Sequence, residues 1–111
     1  METIVKGVSF QGTYRSYANE DTLEAQQPDN LAGWSVRAAL HRNCQPDIDL
    51  PIRIVPEDQG RIDLTLDQAF TAALPTVADP RNPAYITAVL TDPSGRDYVL
   101  QPREPVLVLP L

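Results

Sequence analysis

Apolar and polar residues alternate with a period of two along most of the chain, the pattern of strands buried on one face. In LAGWSVRAALHR, Trp34, Val36, Ala38 and Leu40 fall on one side, and Ser35, Arg37 and His41 fall on the other with Ala39 between them. In DIDLPIRIV, Ile48, Leu50, Ile52 and Ile54 oppose Asp47, Asp49 and Arg53; in RIDLTL, Ile62, Leu64 and Leu66 oppose Arg61, Asp63 and Thr65. Gln59-Gly60 is the turn between these two segments. PAYITAVLTD alternates with apolar residues on both faces. The next residues, Asp92-Pro93-Ser94-Gly95, suit a type I turn, with proline second and glycine fourth. RDYVLQ and PVLVLP read as the last two strands.

One segment breaks the rhythm. DQAFTAAL, residues 67–74, places Ala69, Phe70, Ala73 and Leu74 on one helical face, with Asp67 able to cap the free amides and Pro75 ending the run. A short helix is predicted there. The polar, acidic stretch 19–30 and the stretch TVADPRNP (76–83) read as loops. The whole pattern predicts an all-β fold, an antiparallel immunoglobulin-like β-sandwich of about seven strands with one short helix near residues 67–74. Trp34, Val36, Leu40, Ile52, Leu64, Leu66, Phe70 and Leu74 are its expected core. In PVLVLPL, Val106, Leu107, Val108 and Leu109 are consecutive, so both faces of that strand need cover. One cover is the domain's own core. The other is a neighbouring subunit, which makes these four residues an expected interface, or else the strand is central and buried within its own domain.

Composition narrows the possible functions. A chain of 111 residues with 42% apolar content makes one domain with a modest core. Eleven prolines leave few windows for a long helix. A net charge of −6 and the lack of a basic cluster argue against nucleic acid and against anionic membranes as partners. No apolar run approaches the ~20 residues of a membrane span. The start, METIVKGVSF, has no secretory signal pattern. The single cysteine, Cys44, excludes an internal disulfide and fits synthesis in a reducing cytosol.

Chemistry has few candidates. His41 is the sole histidine, and a nucleophile–base–orienter set could use only His41, Cys44 and a carboxylate. Three residues of separation near a turn do not favour that dyad, and a zinc site would lack two further ligands. Asp47 and Asp49 share a strand face, as do Asp63 and Thr65. Such pairs could bind calcium or act in glycoside cleavage, but no calcium-loop pattern occurs, and alternating aspartates are the usual dress of a solvated face. No glycine-rich phosphate loop is present among five glycines. No catalytic residue, cofactor or metal is expected.

NLAGWSVRAAL, GRIDLTLDQAFTAALP and ITAVLTDPSGRDYVL, in that order and spacing, resemble the small immunoglobulin-like domains of tail and baseplate structural proteins of tailed bacteriophages. The matching patterns are L-x-GW-x-VRA over Leu31 to Ala38, a strand-plus-helix over Gly60 to Leu74, and a TD-x-x-G hairpin over Thr91 to Gly95. The resemblance spans roughly residues 31 to 100, with the long acidic stretch 19–30 and TVADPRNP as departures. It implies a non-enzymatic virion component, made in the host cytoplasm, that connects receptor-binding fibres or other parts to the tail. Its implied partners are other virion proteins, in a homo-oligomer or symmetric assembly. Two alternatives stand beside it. One is a capsid decoration or minor capsid protein; the other is a carbohydrate-binding module or adhesin stacking sugars on Tyr14, Tyr17, Tyr85 and Tyr98.

Overall fold

The alternating segments form strands, and their apolar sides meet between two sheets. The structure, a computed structural model, describes residues 1–15, 31–56 and 60–111. Its strands are β1 (Glu2–Val5), β2 (Phe10–Arg15), β3 (Ser35–His41), β4 (Ile48–Leu50), β5 (Ile52–Ile54), β6 (Arg61–Leu66), β7 (Ala84–Thr91) and β8 (Asp97–Leu109), with one helix, α1 (Gln68–Ala73), between β6 and β7. A five-stranded sheet in the order β1-β8-β7-β3-β4 packs on a three-stranded sheet in the order β2-β6-β5. The fold is an all-β sandwich with one short helix.

Ile4, Leu40, Leu64, Leu66, Val106 and Val108 are almost wholly buried and join the two sheets in the main core. A smaller cluster of Leu31, Ile62 and Leu90 lies beside it. Of the residues expected in the core, Leu40, Leu64, Leu66 and Leu74 are buried. Val36, Ile52 and Phe70 are half-buried at its margin. Trp34 is half-buried at the margin as well. It precedes the first residue of β3, packs against the smaller cluster, and leans on Tyr98 at 5.7 Å between ring centroids, so part of its indole meets solvent.

Four further differences have physical causes. DIDLPIRIV is two strands, because Pro51, which lacks an N–H for the ladder, carries the chain from one sheet to the other. The alternation runs through the switch unbroken because both sheets face one core. RDYVLQ and PVLVLP are one strand of 13 residues, whose register against β7 shifts twice around Ala88. The breaks around Pro102 are therefore bulges within a strand. The sandwich is not wholly antiparallel: β1 runs parallel to β8, with Glu2 opposite Val106 and Val5 opposite Leu109. Finally, β1 and β2 are strands that alternation does not reveal, since Ile4 is the sole buried residue of β1 and Gly12 interrupts the apolar side of β2.

The helix begins as predicted: the Asp67 carboxylate accepts the Phe70 N–H at 2.8 Å. Its buried face differs. Ala69 and Ala73 are exposed, and Thr71 is fully buried. The Thr71 hydroxyl donates to the Gln68 carbonyl at 3.2 Å and accepts the Gly7 N–H at 3.0 Å, pinning α1 to the turn between β1 and β2. At the β7–β8 turn, Gly95 donates to the Asp92 carbonyl and adopts φ +93°. A type I turn followed by a left-handed residue closes this hairpin. Gln59 and the stretch 19–30 lie outside the described residues.

Candidate functional site

His41 ends β3 on the outer face of the five-stranded sheet. Its Nε2 lies 2.6 Å from Thr87 Oγ1 on β7, and its Nδ1 lies 2.9 Å from Asp47 Oδ1 in the loop before β4. With Nδ1–H donating to Asp47, Nε2 accepts the Thr87 hydroxyl. Hydroxyl, imidazole and carboxylate stand in the order of a hydrolytic triad. Cys44 is not the third member: it sits exposed in the following turn, at φ 58°, with its thiol on Asn43. Thr87 was missed in the sequence because nothing in a strand's alternation distinguishes a hydroxyl that meets an imidazole 46 residues away. The line spans β3, β7 and the β3–β4 loop on an open sheet face. The clefts described below include none of its three residues. It fastens two strands and a loop together.

The aspartates separate. Asp47 and Asp49 are exposed on the larger sheet. Asp63 is buried on the smaller one, gripped by Arg61 Nε and an Arg61 terminal nitrogen at 2.9 and 3.1 Å and by the Thr13 hydroxyl at 3.3 Å. The Arg61 hydrogen bond, helped by the Thr13 hydroxyl, holds the Asp63 carboxyl below the usual carboxylate range. Sheet pairing explains both partners, since Thr13 stands opposite Asp63 and Arg61 lies on the same face two residues away. Among the described residues, no group of three or more His, Cys, Asp and Glu side chains could hold a metal ion.

The tyrosines form no common platform among the described residues. Tyr85 lies under the Arg103 guanidinium at 4.3 Å, and Tyr98 sits against Trp34. Tyr14 lines a cleft on another side. Tyr17 lies outside the described residues.

That cleft, about 360 Å³, opens between β2 of the small sheet and β8 of the large one. Phe10, Leu64 and Ile86 supply its apolar lining; Glu2, Tyr14 and Glu104 supply polar groups. Burial, then the charges of Glu2 and Glu104, push the Tyr14 hydroxyl above its ordinary pKa. A second cleft of similar size lies at an end of the sandwich beside Arg42, Asn82 and Asp79. The Arg42 Nε is buried there without a hydrogen-bond partner.

The C-terminal strand divides its four apolar residues. Val106 and Val108 are fully buried in the domain's own core, so they are unavailable as interface residues. Leu107 and Leu109 point to the outer face, half-buried, opposite Thr3 and Val5 of β1. Both sides of β8 are paired here, with β1 on one and β7 and Val77 on the other. The strand is central, and only its outer face is open to a neighbour. No protein-family model matches this sequence, and no curated protein matches it.

Proposed function

We propose that this protein is a non-catalytic structural component of a tailed-phage virion, joining other virion proteins through the outer face of its larger sheet. The observation that carries the reading is the split of the C-terminal strand: Leu107 and Leu109 present apolar side chains outward beside Val5 while Val106 and Val108 complete the core. Apolar residues outside a sheet that already has its core are suited to cover by another protein. The phage assignment draws on the resemblance over Leu31–Ala38, Gly60–Leu74 and Thr91–Gly95. Strand order supports the immunoglobulin-like part of it: β2-β6-β5 facing β4-β3-β7-β8 follows the B-E-D and C′-C-F-G order of that sandwich. Tail or baseplate is favoured over capsid decoration by the same resemblance.

The test is the protein content of purified virions. The polypeptide should be present in fixed stoichiometry, and a Leu107→Asp variant should fold but fail to enter particles. Absence from virions would remove the phage assignment, and normal incorporation of Leu107→Asp would remove this face as the interface.

A further inference from the structure

Among the described residues, four strands lie at sheet edges: β1, β4, β5 and β2. The first three are 4, 3 and 3 residues long, and short edges are poor templates for another strand. β2 is different. It has six residues, and from Phe10 to Tyr14 it contains no charge and no proline, the two usual guards of an edge. One side of β2 pairs with β6. On the other side, its backbone borders the cleft between the sheets, where Gln11, Gly12 and Thr13 line the wall. Among the described residues no backbone partner bonds to that side of Gln11–Tyr14. Gly12 places no side chain over the cleft.

We propose that this edge is a binding site for an extended, basic peptide segment of a partner protein, which adds as a strand beside β2. Backbone hydrogen bonds to β2 would give the affinity. Alternate side chains of the segment would enter the cleft against Phe10, Leu64 and Ile86, and a lysine or arginine among them would meet Glu2 and Glu104. Charge selects this occupant over a second copy of the chain. Pairing β2 with β2 would bring two such acidic clefts together in molecules that each carry a net charge of −6. The inference does not rest on the virion reading.

The probe is a short capped peptide of alternating valine and threonine with a lysine at each end, added to the full chain while backbone amide exchange is followed. Slower exchange confined to β2 is expected, with binding lost when alternate peptide nitrogens are methylated, a change that leaves the protein untouched. Glu2→Gln combined with Glu104→Gln should weaken binding about tenfold at low ionic strength, two partly exposed ion pairs each contributing a few-fold. Three results would overturn the proposal: no protection of β2 at saturating peptide, equal binding of the methylated peptide, or protection of β2 that arises from protein self-association without peptide.

Discussion

At the scale of single residues, one buried hydroxyl weighs about as much here as the single tryptophan. Thr71→Val keeps the volume of a fully buried side chain and orphans the Gly7 N–H, so it should cost about 1–3 kcal/mol in denaturant unfolding. Trp34→Ala should cost about 2 kcal/mol, less than the ~3–5 of a fully buried aromatic, because part of the indole meets solvent. Among the described residues, three carboxylates respond to acid. Asp63 is held below the usual range by Arg61, Asp92 by the Ser94 hydroxyl and neighbouring amides, and Asp97 by the Thr91 hydroxyl and Arg37. A depressed carboxyl binds fewer protons in the folded state than in the unfolded state. Its contribution is therefore complete above the unfolded value of about 4 and is lost as pH falls below it. Thermal unfolding should show a flat stability from neutrality to that point and a decline beneath it, and Asp63→Asn should make the decline shallower. Thr71 shows what a sequence conceals at this scale. Its helix and cap were legible from Asp67 and Pro75, but which side of so short a helix is buried depends on the β1–β2 turn, which is distant in sequence.

Among the elements, the C-terminal strand gives the sharpest contrast. Val106→Asp or Val108→Asp would place an unpaired charge in a fully buried site and should unfold a domain holding ~5–15 kcal/mol. Leu107→Asp and Leu109→Asp face outward and should leave a folded protein by circular dichroism. If the outward pair also unfolds the chain, the face is covered from within. Alternation made β3, β6 and β7 legible, because each buries one side of a regular ladder. It could not show that Pro51 separates strands of different sheets, because both sheets turn the same side inward. Nor could it show that β8 continues through Pro102, because a bulge and a strand end share the same local residues. The Thr87–His41–Asp47 line was beyond reach for a related reason: its partners meet through strand register. A Gly95→Ala substitution tests the hairpin itself. Nothing lies within 4 Å of the added methyl, so the expected loss of about 1 kcal/mol comes from the left-handed backbone alone.

For the molecule as a whole, the parallel pairing of β1 with β8 joins residues from nearly opposite ends of the chain, Glu2 beside Val106. The large sheet is incomplete until both ends are present, and contacts so distant in sequence slow folding. The same pairing has a mechanical consequence. Tension applied through residues 1 and 111 draws β1 and β8 in opposite directions along their shared axis. The hydrogen bonds between them, evenly spaced in a parallel ladder, then bear the load together in shear, whereas a hairpin pulled from its open end yields one bond at a time. Core side chains Ile4 and Val108, opposite each other and fully buried, must slide past one another before the strands part. A chain with this arrangement resists being stretched between its ends, the direction in which a connector between two larger bodies is pulled.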